Sequence, residues 1–422
     1  MAVGAVGVLD ACAGEQDPGL QPADPVDAGD LSLASSDVER AAPEPGAVAG
    51  GAASMHVLGA GLWPELPAEG SLAISPFSVA VALGMTLNGA KGATLDEMLA
   101  VLGVESVEAA NAGFNAVEQH VESLAGPVER PDIEDDDAEI VLDTASSLFG
   151  QVGVTWEEPF LDALAASYGA GMQQVDYVRE TEPARAAINA WTAEQTRDKI
   201  PELVPQGALD ALTRLVLVNA LYLKAPWNVP FESSMTEDGD FHRQDGSTVS
   251  VPMMRKPDAY GASGPGWQSA RIAYAGDRLA MTVVLADDPD ALVADGTLVE
   301  VIGAGPTGPV DLTMPRWTFR VQSPLEDALA ELGMPTAFVP GGADLSAMTR
   351  EERLFVSAVL HEVFIAVDER GTEAAAATAV VVTATSAGPT PGVLVLDRPF
   401  LFVIHDVAHG TPLFIGRVGD PS

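Results

Sequence analysis

Residues 215–223 (LVLVNALYL) limit most what this chain can fold into. The run is apolar but for one Asn, the pattern of a strand covered on both faces. Such a strand needs packed chain on either side. A chain of 422 residues that is 47% apolar has enough material for that core. Residues 281–286 (MTVVLA) read the same way, and 310–314, 363–367, 401–404 and 413–418 read as further strands. Helices are marked by their ends. Ser75-Pro76 is an N-cap followed by proline at the first helical position, with Val79, Leu83, Thr86 and Leu87 forming an apolar face. Thr94 to Glu97 reads as a capping box, Met98, Leu99 and Leu102 follow, and Gly103 stops the helix. Residues 157–169 and 183–197 read as amphipathic helices. Helices gather early and strands late, which favours an α+β fold over alternating βαβ units. There is no internal repeat.

Residues 371–397 resist this scheme. The segment has no aromatic and no basic residue. It passes from a helix-friendly alanine run through valines to a Gly/Pro turn. A loop this long inside a compact domain is usually functional or disordered.

Charge excludes several functions. There are 21 Lys+Arg against 61 Asp+Glu, a net charge of -40. The lysines are Lys91, Lys199, Lys224 and Lys256. Such a surface repels nucleic acid, anionic membranes and heparin-like polyanions. It suits solubility or a salty medium. The single cysteine, Cys12, rules out an intrachain disulfide and leaves the compartment open. Leu9-Asp10-Ala11-Cys12 resembles the end of a bacterial lipoprotein signal, which makes residues 1–12 a candidate signal remnant and Cys12 a candidate lipid anchor if the true start lies upstream. The apolar stretch is short and lacks a basic start, so a chance match stays open. No run approaches the roughly 20 apolar residues of a membrane span. Residues 13–50, rich in Asp, Glu, Pro, Ala and Gly without apolar periodicity, read as a disordered acidic tether.

The usual enzyme constellations are missing. Gly303 to Gly308 fits G-x-G-x-x-G after a strand-like run, but Pro309 and a strand follow, where a dinucleotide site needs a helix. His361-Glu362 lacks the second histidine of a zinc helix, since residue 365 is Ile. His405 and His409 are spaced i, i+4 in a strand-to-turn stretch, without the helix that would bring them together. No nucleophile elbow or phosphate loop appears. No metal, cofactor or catalytic residue is expected.

Six motifs, in order, resemble the serpin family over residues 53–422. They are Ser75-Pro76-Phe77-Ser78; the run from Leu217 to Lys224 with Trp227, Pro230 and Phe231; Val251-Pro252-Met253-Met254; the run from Val367 to Ala375 (VDERGTEAA); Arg398-Pro399-Phe400-Leu401-Phe402; and the ending from Pro412 to Val418. The resemblance implies an α+β serpin fold of three β-sheets and eight to nine helices over 51–422, metastable, with an exposed reactive-centre loop at about 371–397. It implies a suicide-substrate inhibitor of serine proteases, not an enzyme, whose cleaved loop inserts into the central sheet. It further implies a monomer that can polymerise by the same insertion. Insertion comes from the resemblance; the residues agree with it. A strand alternates faces, and on the family's counting Thr372, Ala374, Ala376 and Thr378 would face the interior, small and uncharged. Glu373 would point to solvent, and Ala375 and Ala377 demand no space.

Glu369, Gly371, Thr372 and the residues to Thr378 resemble the family's hinge. Ser75, Ser78, Asn219 and His361 resemble its shutter, where the sheet parts. Trp227 and Arg316 resemble its breach at the sheet top, with Arg316 placed to pair with Glu369. Counting from the hinge puts the reactive bond between Thr385 and Ser386; counting back from Pro399-Phe400 gives a point near Gly388, because the exit side 388–396 is long. Every candidate from Thr383 to Ala387 is small, which suits elastase-like or subtilisin-like proteases rather than trypsin-like or chymotrypsin-like ones. The expected setting is extracellular or at the cell envelope. The alternative is a non-inhibitory serpin-fold binding protein; bulky or charged hinge residues would favour it, and they are absent.

Overall fold

The structure is a computed structural model and describes residues 31–130, 138–373 and 392–422. The apolar run at 215–223 lies within the strand Leu215–Pro226, where every residue but Lys224 is buried. Leu215, Leu217 and Leu221 face the main core, while Val216, Val218 and Ala220 face a second cluster beneath the helix Thr181–Gln195. The period of two with both faces covered explains the unbroken apolar pattern.

This strand is the middle of the central sheet. It runs antiparallel to Glu139–Gln151, outside which come Met172–Val175 and then Ser32–Ala34. On its other side it pairs in parallel with Ala358–Val367, and Trp317–Pro324 forms that edge. Behind the sheet lies the helix Pro76–Leu87, buried along its whole length between the central sheet and the last strands of the chain. Ser75 caps it: its Oγ accepts the Ser78 amide at 3.2 Å.

The remaining strands form one hydrogen-bonded network of nine. Its long strand Thr248–Gly264 pairs with Glu237–His242 and Gly308–Pro315, then with Trp267–Ala273 at its far end. Gly392–Val395 pairs in parallel with Gly308–Pro315 at one edge. Leu279–Ala286, Phe400–Asp406, Pro412–Val418 and Leu72–Ile74 continue the other side. The three expected sheets are therefore the central sheet and the two halves of this network, which share the strand Thr248–Gly264. Nine α-helices are found among the described residues.

Three local expectations need correction. The tether assigned to 13–50 is ordered from residue 31: Ser32–Ala34 adds a strand to the central sheet and the helix Ala47–Leu62 begins within it. Remote partners order it. Arg40 donates to Asn115, Glu118 and Glu122 on the helix Val107–Glu122 at 2.8–3.1 Å. Burial pushes the Glu118 carboxyl up to about 8 against the pull of Arg40. Residues 13–30, like 1–12 with Cys12, lie outside the described residues. The capping box at Thr94 does not form, because the helix Gly92–Leu102 starts earlier; Thr94 Oγ1 accepts the Asp344 amide and Glu97 binds Thr336. The run before Gly305 is a helix, Thr297–Ala304, not a strand: Leu298, Val301 and Ile302 are buried at helical spacing.

Candidate functional site

The central sheet is partly open. Leu215–Pro226 and Ala358–Val367 pair from Val216/Ala358 up to Leu221/Val363, where their register ends. At the top, Gly371–Thr372 occupies the space between them. Thr372 lies opposite Ala225 on one side and Val367 on the other, antiparallel to both. Gly371 permits this approach: a Cβ there would come within 2.2 Å of the Ala225 carbonyl oxygen.

Thr372 is 2% exposed and faces the interior, where the Tyr274 hydroxyl bonds its Oγ1 at 2.6 Å. Tyr274 in turn stacks on Trp227, with ring centroids 4.5 Å apart. Trp227 Nε1 donates to the Asp368 carbonyl at 2.9 Å and its amide donates to that of Arg370 at 2.7 Å. Trp227 therefore holds the chain immediately before the hinge. Glu369, 5% exposed, accepts from Arg316 Nε at 2.8 Å and from Thr236 Oγ1 at 2.6 Å. Burial opposes its charge, but these hydrogen bonds prevail and hold its carboxyl below the usual range. Replacing Glu369 by Lys puts like charges together at the sheet top. We expect polymer ladders on native gels at a temperature a few degrees lower; an unshifted onset would count against a bracing role for the pair.

Glu373 does not point to open solvent. Its amide donates to the Ala366 carbonyl at 2.9 Å, and its carboxylate pairs with Lys199. The segment after the helix Thr181–Gln195 crosses the front of the sheet here and fills the space expected to be water. Ala374 to Thr378 and the expected reactive bond, Thr385-Ser386, lie outside the described residues.

Below the opening, the four expected shutter residues meet. Ser75, Ser78, Asn219 and His361 come from a helix start and two strands, and all are fully buried. Asn219 and His361 sit side by side across the parallel pair. His361 Nε2 accepts the Ser75 amide at 3.0 Å, so the ring proton is on Nδ1 and is donated to Asn219 Oδ1 at 2.5 Å. Ser78 Oγ lies 3.5 Å from the same oxygen. Burial pushes His361 down to about 4, so the ring is neutral at neutral pH. Hydrogen bonds through this one imidazole link the helix behind the sheet to the two strands that would have to part.

Sequence reasoning missed Tyr274, Thr236 and Lys199. Each is an ordinary residue type whose partner is remote in sequence, so no local pattern marks it. His405 and His409 stay apart in role: His405 bonds Thr282, and His409 packs against the His120 ring.

A family model described as "Serpin (serine protease inhibitor)" matches residues 61–421. The leukocyte elastase inhibitor of Sus scrofa is 32% identical over 370 residues, covering 83% of this chain and 93% of that protein. The crystal structure of Serpin48, described as a highly specific serpin in the insect Tenebrio molitor, superposes with a TM-score of 0.71 and 27% identity, covering 90% of this chain and 99% of that one. The thermophilic serpin Tengpin in its native state gives a TM-score of 0.77 at 24% identity, covering 90% and 96%, a likeness of fold.

Proposed function

The chain belongs to the serpin family, and from that premise we propose that it is a suicide-substrate inhibitor of serine proteases. The observation that supports this best is Thr372, a small uncharged hinge residue already seated between Leu215–Pro226 and Ala358–Val367. A strand started there can extend down the gap as the two strands part.

In this reading the protease serine attacks the carbonyl before the scissile bond, Thr385-Ser386. An ester to the enzyme forms and the amine of Ser386 leaves. The freed hinge then adds as a new strand, its residues gaining ladder hydrogen bonds in place of water. The acyl-enzyme is carried away from the loop's original site and its oxyanion hole is deformed. Losing one oxyanion donor slows such chemistry by roughly 10²–10³, enough to strand the ester before water cleaves it. The inhibitor supplies a bond and a folding free energy, with no catalytic group of its own.

The small residues around Thr385 suit elastase-like or subtilisin-like proteases, and the similarity to a leukocyte elastase inhibitor agrees with the first class. We place the activity outside the cytoplasm, at the cell envelope if Cys12 is lipidated. We regard the protein as a monomer that polymerises when one hinge enters another molecule's gap. The test mixes the protein with pancreatic elastase and with subtilisin. A covalent complex should survive denaturing electrophoresis, and sequencing the released C-terminal fragment should begin at Ser386. Clean cleavage without a complex across a broad panel would reject the trap and favour a non-inhibitory binding protein.

A further inference from the structure

We infer that Lys199 is a positioning residue that holds the hinge engaged in the open top of the central sheet before any protease arrives. The consequence for inhibition rests on the trapping reading above; the geometry does not.

Lys199 lies in the segment that follows the helix Thr181–Gln195 and crosses the front of the sheet where it parts. The segment is tied to both sides of the gap. Arg197 Nε donates to Asp143 Oδ2 at 2.6 Å, on the strand Glu139–Gln151. From Trp317–Pro324, on the other side, Arg320 donates to the Lys199 carbonyl and Gln322 to the Leu203 carbonyl. Arg197 and Asp198 both take left-handed backbone angles, with φ of 52° and 61°. Aspartate enters this region comparatively easily, but for Arg197 it is uncommon and marks a backbone held by its surroundings. The ammonium of Lys199 is 5.8 Å from the Phe364 ring centroid, with the Arg320 guanidinium 5.7 Å from the same ring. The lysine is thus placed before it meets the hinge.

Its partner is Glu373, also in a left-handed conformation, with φ of 50°. The Glu373 side chain is 16% exposed. Among the described residues its second carboxylate oxygen is buried without a hydrogen bond. Burial, with the Glu373 charge beside it, also pushes the Tyr222 hydroxyl up to about 12. This differs from a surface ion pair. Removing the lysine leaves a half-buried carboxylate with no counter-charge, and a buried group stripped of its partner costs more than the pair itself contributes. The carboxylate then turns out to water and takes its backbone with it. The Glu373 amide leaves Ala366, and Thr372 loses the neighbour that keeps it beside Tyr274. Thr372 and Glu373 are held from opposite faces of the sheet, by Tyr274 behind and Lys199 in front.

After loop cleavage, insertion races deacylation. A hinge already engaged starts from its first rung; a released hinge must find the gap again. Lys199 therefore favours trapping over turnover.

Hydrogen exchange over residues 366–373 is compared for the wild type, Lys199→Ala, Lys199→Arg and the charge swap Lys199→Glu with Glu373→Lys, alongside the stoichiometry of inhibition of elastase. Lys199→Ala should speed exchange at the hinge amides about fivefold and raise the stoichiometry about threefold, in keeping with the loss of one partly screened charge-assisted bond. Lys199→Arg and the charge swap should restore most of both. Unchanged hinge exchange in Lys199→Ala overturns the positioning role. Faster exchange with unchanged stoichiometry overturns its link to trapping. A wild type that forms no complex with any protease defeats the trapping reading and the link drawn from it, while exchange still decides what Lys199 does.

Discussion

Thr372→Arg should be cleaved by elastase as readily as the wild type and form no stable complex. Thr372 is 2% exposed between Ala225 and Val367, with its hydroxyl on Tyr274, so the site has room for a small side chain and no counter-charge for a guanidinium. The uncut protein tolerates the change, because its hinge can stay out of the gap with the arginine in water. Insertion cannot avoid it: the register that puts Thr372 inside puts arginine inside. Burying an unpaired charge costs several kcal/mol even after relaxation. Raising the insertion barrier by about 3 kcal/mol slows that step by roughly a hundredfold while deacylation keeps its pace. The race then goes to hydrolysis. On denaturing gels the complex band should vanish and the cleaved inhibitor accumulate, with the protease recovering full activity. Thr372→Ser, which keeps the size and the hydroxyl, should inhibit normally. A normal complex from the arginine variant would mean that this residue is not carried into the sheet.

Much of this was legible because it depends on local pattern. The doubly covered strand showed in the nearly unbroken apolar run of residues 215–223. The helix start at Ser75-Pro76 showed in its cap. The shutter was legible by family resemblance: Ser75, Ser78 and Asn219 fall within the matching motifs and His361 was grouped with them by the resemblance; the hydrogen bonds that join the four were not legible. What escaped depends on distant partners. Residues 31–50 carry too little apolar periodicity to announce a strand and a helix, and they are ordered by groups such as Asn115 and Glu118 that no local window contains. The Thr94 box failed for the same reason, its hydroxyl being taken by Asp344. Glu373 was assigned to solvent because strand alternation says which face a residue takes but not what covers that face. The segment around Lys199 covers it.

The second large effect concerns pH and two adjacent residues with opposite signs. His361 is fully buried and neutral, its pKa pushed down to about 4 from 6.5 by burial. Between those values the unfolded chain binds the extra proton and the native state does not, so this residue makes stability fall as pH drops from 6.5 to 4. Glu362, whose side chain is 2% exposed, has its carboxyl pushed up to about 7 from 4.5 by burial, against the pull of Arg320. There the native state holds a proton that the unfolded chain has released, so this residue makes stability fall as pH rises from 4.5 to 7. The slopes nearly cancel between pH 4.5 and 6.5, and each masks the other in the wild type. Glu362→Gln keeps the shape and removes the buried charge. Arg320, 45% exposed, keeps water and the Lys199 carbonyl as partners when Glu362 loses its charge. The variant should be more stable than the wild type by about 2 kcal/mol at pH 8, and the advantage should disappear by about pH 4.5, leaving the His361 slope uncovered. Denaturant midpoints at pH 8, 6 and 4.5 read this directly. The same variant should trap protease more slowly at pH 8, because a sheet relieved of a buried charge at its shutter has more to lose by parting. An equal effect of Glu362→Gln at all three pH values would show that the carboxyl does not titrate in the folded protein near neutrality. The shutter's pH dependence would then belong to His361 alone.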